Sequence, residues 1–189
     1  MTKLPASRWS LPLIFLLVAV GAGGQTSVQI GLNFTGSQGG LISQALPPDP
    51  NGAIGPDRYM EFINGTVAFY NRTNVASVVR KTDLKFWSDA GLNVSAIGVS
   101  DPRVIYDPTV QRWFATQVDY DPTASDQTAE ANDFLLAVST TSSPNGPWKA
   151  FMIPSDPDNG YFADFPTLGV DSNAVYIAGD YYSVGEVSE

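Results

Sequence analysis

The sequence predicts an all-β fold, namely a partial β-propeller of antiparallel four-stranded blades. The first observation is a motif that occurs three times: an aspartate opens a short apolar run, a second aspartate ends it, and an aromatic-rich strand follows. The copies begin at Asp49, Asp101 and Asp164, which are 52 and 63 residues apart, a period that suits a four-stranded blade better than a helical repeat. The second observation is that short strand patterns alternate with turn signals, which a two-sheet β-sandwich would also show. Because sandwich strands need no repeat of this length, the sandwich is the alternative.

The middle copy, residues 101–153, is the clearest blade. Four segments rich in aromatic, β-branched or other apolar residues are separated by turn signals. The predicted strands are residues 101–106, 112–119, 134–140 and 148–153. We therefore expect one antiparallel four-stranded sheet here, with Trp113 and Leu136 packed against neighbouring blades.

The first copy, residues 49–85, fits the same template. Asn64 and Gly65 form a dipeptide that strongly favours a two-residue hairpin, and strand patterns flank it. The predicted strands are residues 59–63, 66–70 and 75–80. The third copy, residues 164–189, contains two further strand patterns. Because fewer than three full blades leave a long sheet edge unpaired, we expect the remaining propeller blades beyond Glu189.

Residues 25–48 are expected to be an N-terminal strand and linker, and residues 1–24 a secretory signal peptide. Apolar residues alternate over 28–34, which predicts a half-buried strand that closes the ring against the last blade. Residues 1–24 show basic, apolar and small residues in the order of an export signal. The apolar run, 11–20, falls short of the about 20 residues that a spanning helix needs. We expect a secreted or extracellular protein, and a bacterial periplasm or cell surface is the alternative location. We also expect no membrane span after the signal peptide is removed.

Composition limits the chemistry. Without residues 1–24 the chain keeps eight basic and nineteen acidic residues, a net charge of −11, which repels nucleic acid. There is no cysteine and no histidine, so thiolate chemistry, Ser-His catalysis and ordinary zinc sites are excluded within this chain. Carboxylate chemistry, hydroxyl and aromatic contacts, and binding of hard cations remain.

The segment 139–148, STTSSPNGPW, resembles a degenerate Asp-box of the sialidase-like propellers, whose pattern is SxDxGxTW. Ser142, Gly146 and Trp148 match in type, while Pro144 stands at the aspartate position. Together with residues 101–116 and 164–182, the chain resembles secreted bacterial β-propeller proteins with such sialidase-like, or BNR, repeats. The resemblance implies a propeller fold, and its motifs build blades rather than carry catalysis.

A second resemblance concerns chemistry. Asp49 to Gly52, DPNG, and Arg103 beside Asp101 and Pro102 resemble pieces of the five-bladed propeller glycoside hydrolases, arabinanases and invertases among them. Those enzymes set essential acids, usually two Asp and one Glu, on the inner strands of successive blades. The third copy here offers Asp164, so the resemblance implies that the general-acid Glu is missing or lies beyond Glu189.

The candidate catalytic residues are Asp49, Asp101 and Asp164. If the first strand of each blade is innermost, these residues occupy equivalent positions and converge at one mouth of the central channel. Glycoside hydrolysis needs a protonated acid and an ionised partner about 5 to 10 Å apart. The competing interpretation is that each aspartate only caps the beginning of its strand. The sequence indicates no cofactor, although the same ring of oxygens would suit a hard cation such as calcium.

The candidate ligand-binding residues are Arg103, Tyr161 and Phe162, because they lie next to these aspartates and aromatic rings can stack on sugars. The features together favour a secreted binding module for polysaccharide or cell-surface glycan. A carboxylate-dependent glycoside hydrolase, sialidase-like or arabinanase-like, is the alternative, and a structural or protein-interaction scaffold is the third possibility.

Overall fold

The computed structural model of the chain describes residues 31–75 and 78–184. The elements in chain order are β1 (Asn51–Ile54), β2 (Arg58–Ile63), β3 (Thr66–Asn71), β4 (Val78–Lys81), α1 (Asp83–Asp89), β5 (Gly98–Asp107), β6 (Arg112–Tyr120), β7 (Asp133–Ser139), β8 (Trp148–Pro154), β9 (Tyr161–Val170) and β10 (Val175–Ser183). They form three antiparallel sheets: the first sheet is β1 to β4, the second sheet is β5 to β8, and the third sheet is β9 with β10. The predicted all-β class is confirmed. No sheet closes on itself within the described residues.

The first sheet is built on the predicted hairpin. Asn64 and Gly65 connect β2 to β3, and Gly65 has a φ of 83°, a backbone conformation that glycine adopts without steric cost. Strand β4 begins later than the predicted strand at 75–80. Alternate residues of β2 and β3 turn toward the second sheet, where Phe62 and Phe69 are fully buried.

Helix α1 was not predicted. Thr82 is its N-cap, and the Thr82 hydroxyl accepts a hydrogen bond from the backbone N–H of Lys85 at 3.1 Å. Phe86 and Trp87 lie in the core together with side chains of both four-stranded sheets, and the Trp87 indole donates to Gln117 Oε1 at 2.7 Å. The aromatic pair therefore serves packing in a helix, although aromatic residues are more typical of strands.

The second sheet confirms the predicted antiparallel four-stranded sheet over residues 101–153. Its strands follow one another in the order β5-β6-β7-β8, all antiparallel. Trp113 is fully buried between the first and second sheets, as predicted, and its indole donates to the Ser142 carbonyl at 2.8 Å. Trp148 donates likewise to the Pro144 carbonyl at 2.9 Å. Two indoles thus hold the turn that resembles an Asp-box.

The third sheet has two strands, and the outer edge of β10 pairs with no other described strand. The small core between the second and third sheets consists of Val118, Phe134 and Ala163, with Ile177 packed against it. Leu136, expected to pack against a neighbouring blade, is only half-buried, since the third sheet has two strands among the described residues.

The first strands of the three sheets lie side by side: β1 contacts β5, and β5 contacts β9. This arrangement places corresponding ends of the three strands near one another. It is the feature of the fold that builds the candidate site.

The segment before β1 differs from the prediction. Of the predicted strand at 28–34, residues 28–30 lie outside the described residues, and residues 31–34 form no strand. Side chains hold this segment instead, because the Phe34 ring packs on Tyr70 at 4.9 Å and the Ser37 hydroxyl donates to Glu61 at 2.7 Å.

The predicted signal peptide, residues 1–24, also lies outside the described residues. Within 31–75 and 78–184, no helix has the length and apolarity required to cross a membrane.

Candidate functional site

Three aspartates from three sheets meet at one place. The carboxyl of Asp101 lies within hydrogen-bonding reach of the carboxyl of Asp49 on one side and of the carboxyl of Asp164 on the other. Asp101 is central and buried, with 7% of its surface exposed. The predicted convergence of these residues is present in the structure, and their role in catalysis or binding stays a prediction.

The backbone aims two of these side chains by unusual conformations. Asp49 has a φ of 39° and Asp101 a φ of 58°, the left-handed region that costs energy for residues with a side chain. Between Ser100 and Arg103 the pairing of β5 with β6 shifts register, so Asp101 sits in an irregularity of the strand. Such irregularities re-aim side chains and often occur at functional sites.

Asn64 links the first and second sheets at this point. Its Oδ1 accepts a hydrogen bond from the backbone N–H of Asp101 at 2.7 Å, and its Nδ2 donates to Asp49 Oδ2 at 2.8 Å. The same amide also donates to the carbonyl of Pro47 at 3.0 Å. The sequence indicated Asn64 only as a hairpin residue. Its second role depends on a contact 37 residues away, which no local pattern encodes.

Burial and the neighbouring Asp101 alter the protonation of Asp49 and Asp164. Burial raises the pKa of Asp49, the neighbouring Asp101 raises it further, and Arg103 with Asn64 opposes the shift. Burial also raises the pKa of Asp164, again with a contribution from Asp101, and Asp180 adds a smaller one. Both carboxyls therefore keep a proton to a higher pH than an isolated aspartate does.

A cation and an exposed aromatic ring adjoin the acids. The guanidinium of Arg103 lies over the ring of Phe165, 4.3 Å from its centroid, and donates to the carbonyl of Pro102 at 2.9 Å. Phe165 directly follows Asp164, has a φ of 46° and exposes 49% of its surface. Arg103 thus lies near the acids, as its position in the sequence indicates. Phe165 was missed, and its signal was its place immediately after the third aspartate.

The other two candidate ligand-binding residues, Tyr161 and Phe162, differ in exposure. Tyr161 is exposed, and its ring meets the ring of Tyr181 edge-on at 6.4 Å. Phe162 is buried and lines a cavity under the loop between β6 and β7, whose lining includes none of the three aspartates.

The geometry separates the chemical options for the three acids. Glycosidases hold their two carboxyls about 5 to 10 Å apart, whereas the carboxyl of Asp101 lies within hydrogen-bonding reach of those of Asp49 and Asp164. Neither of these two pairs has the glycosidase separation. In the part of the chain that the structure describes, no group of three or more acidic, histidine or cysteine side chains is arranged to hold a metal ion. The calcium alternative therefore lacks support from this geometry. Carboxyl groups in contact can share protons and can hydrogen-bond hydroxyl groups.

No family, curated protein or solved structure was found to match this chain. The resemblances to sialidase-like repeats and to propeller glycoside hydrolases therefore stay predictions.

Proposed function

We propose that this chain is part of a secreted β-propeller that binds polysaccharide or cell-surface glycan at the mouth formed by Asp49, Asp101 and Asp164. The observation that carries the proposal is the contact of these three carboxyls beside Arg103 and the exposed ring of Phe165.

The propeller assignment is supported by the order of the strands. Each four-stranded sheet is a simple antiparallel succession, and the first strands of successive sheets adjoin, as the inner strands of propeller blades do. Further strands would pair with the outer edge of β10 and cover Phe151 and Ile153, which are 52% and 40% exposed on the second sheet. We propose that additional blades supply these strands.

Glycan binding follows from the kinds of groups at the mouth. Sugar hydroxyls donate to carboxyl oxygens and accept from guanidinium groups, and both kinds of group are present here in Asp101 and Arg103. The amide of Asn64 is already bonded to Asp49 and to the carbonyl of Pro47, so it holds the site together. The apolar face of a sugar ring packs on exposed aromatic rings such as that of Phe165. A hydrolase that pairs Asp101 with Asp49 or with Asp164 is less well supported, since Asp101 lies closer to each of them than the usual separation.

The test exposes the full chain to a panel of soluble polysaccharides. Calorimetry measures binding, and a parallel assay for released reducing ends measures hydrolysis. We expect binding without hydrolysis. Phe165→Ala and Asp101→Asn should each weaken binding about tenfold, corresponding to loss of a stacking or charged hydrogen-bonding contact.

The matched control is Asp107→Asn, at the other end of the strand that carries Asp101. This variant removes the same charge and should bind as the unaltered chain does. Release of reducing ends that depends on Asp101 would replace the binding proposal by the hydrolase. Absence of binding to every polysaccharide would favour the scaffold. Export is tested separately, by finding Gln25 as the first residue of secreted material.

A further inference from the structure

A separate cavity of about 260 Å³ lies beneath the loop that joins β6 to β7. None of Asp49, Asp101 or Asp164 lines it. Its lining includes apolar and aromatic groups and four acidic side chains, namely Ile97, Phe162, Asp119, Asp121, Asp126 and Glu130. No lysine or arginine is among the described residues that line it.

Asp119 is the buried acid of this cavity. Only 7% of its surface is exposed, and its Oδ1 accepts the backbone N–H of Asp133 at 2.6 Å. Among the described residues, no other donor reaches the carboxylate apart from the backbone N–H of Asp119 itself. A carboxylate can accept about four hydrogen bonds, so Asp119 has unused acceptor capacity in the cavity wall.

The cavity is held in shape by its own loop. The hydroxyl and backbone N–H of Thr123 both donate to Asp121, and those of Thr128 both donate to Asp126. Asn132 donates to the carbonyl of Ala163 at 2.8 Å and accepts the Ala163 N–H at 2.8 Å, which ties the loop to β9. A site held in this way costs little reorganisation when a ligand enters.

We propose that this cavity binds a primary organic ammonium group, with Asp119 as the buried counter-ion and Glu130 at the rim. Negative charge without a basic partner attracts a cation, and the apolar wall accepts the carbon frame that carries it. A bare metal ion fits less well, because the described residues include no group of three or more acidic, histidine or cysteine side chains arranged to hold one. This inference is independent of the glycan site.

An amino sugar and a lysine side chain both carry such a group, and two probes distinguish them. The full chain, labelled with ¹⁵N, is titrated with glucosamine and with Nα-acetyl-lysine amide, and the chemical shifts of its backbone amides are followed by NMR. N-acetylglucosamine, which carries no charge, is the control for glucosamine. We expect amide shifts at Ala124, Ala131 and Asn132 with at least one ammonium probe and none with N-acetylglucosamine. The stronger probe identifies the source.

Two variants make the test specific. Asp119→Asn keeps the acceptor for the Asp133 N–H and should weaken binding about tenfold or more. Glu130→Gln, an exposed residue whose change leaves the fold intact, should weaken it about threefold. Asp158→Asn removes one exposed charge outside the cavity and should leave the affinity unchanged.

Acid should weaken binding as well. Asp121, Asp126 and Glu130 of the loop line the cavity together with Asp119, and the charge of Asp133 on β7 acts on Asp119. No lysine or arginine is among the described residues that line the cavity. Burial raises the pKa of Asp119 to about 6, so the affinity should fall between about pH 7 and about pH 5 while the ammonium keeps its charge. The proposal is overturned if N-acetylglucosamine shifts the same amides, if Asp119→Asn and Glu130→Gln both bind normally, or if neither ammonium probe shifts these amides.

Discussion

The second sheet is packed very differently on its two faces. Toward the first sheet, Trp113, Leu135 and Trp148 are buried with residues of β2, β3 and α1 in one continuous core. Toward the third sheet, the core is small and contains Val118, Phe134 and Ala163, while Phe151 and Ile153 farther out on the same face are exposed. The first sheet has four strands and covers its neighbour, whereas the third has two. The number of strands in the adjoining sheet therefore determines how far each face is buried.

The largest effect on stability is expected when Trp113 is removed from the face of the second sheet that packs on the first sheet. Trp113→Ala should lower the free energy of unfolding by about 3 to 5 kcal/mol, because it leaves a cavity in a closely packed core. Urea unfolding followed by circular dichroism measures the change. A loss below about 1 kcal/mol would mean that the two sheets do not depend on this contact.

The corresponding change on the other face should cost less. Phe134 is buried, but its neighbours in the core are only Val118, Ala163 and Ile177. Phe134→Ala should therefore cost about 2 to 3 kcal/mol, below the usual range for a buried phenylalanine, because the space can open toward solvent. A loss equal to that of Trp113→Ala would show that both faces are equally sealed.

The pH dependence of stability reports on Asp119, near the end of β6. The pKa of Asp119 is about 6 in the folded chain against an ordinary 3.8, so the folded state binds more protons between these values. Stability from this group is therefore present below about pH 4 and is lost as the pH rises through about 6. Asp119→Asn should remove this loss and raise the free energy of unfolding at neutral pH by about 1 to 2 kcal/mol. The raised pKa of Asp119 would be contradicted if the free energy of unfolding changed between about pH 4 and about pH 7 by the same amount in the variant as in the unaltered chain.

The smallest effect is expected on the exposed part of the same face. Phe151→Ser should change the free energy of unfolding by no more than about 0.5 kcal/mol, because the ring is already 52% exposed. The same change in a chain extended by further blades should cost several times more. Binding of a hydrophobic dye to the unaltered chain, reduced in the variant, provides an independent measure of the exposed patch.

The repeat and the strand patterns predicted much of this structure. Aromatic and β-branched runs marked the strands of the second sheet, and the repeated motif that begins at Asp49, Asp101 and Asp164 predicted that they converge. Helix α1 was missed because Phe86 and Trp87 resemble strand residues, although Thr82 provides an N-cap signal. These features required only local patterns or a period.

Other features depend on contacts between distant segments. Asn64 bonds to the backbone of Asp101 across 37 residues, and the burial of Phe162 depends on a loop that Asn132 ties to β9. Leu136 is half-buried because the neighbouring sheet has two strands, a property of another part of the chain. No periodicity within a segment encodes such relations.

The contact among the three acids is most directly measured by following their side-chain carboxyl carbons by NMR as the pH is changed. Asp49 and Asp164 should titrate above the ordinary aspartate value of 3.8 because burial and Asp101 raise the pKa of both. In Asp101→Asn both pKa values should fall, and in Asp180→Asn only that of Asp164 should fall, since Asp180 acts on Asp164 alone. Ordinary titration of Asp49 and Asp164, unchanged by Asp101→Asn, would contradict the convergence of the three sheets on one site.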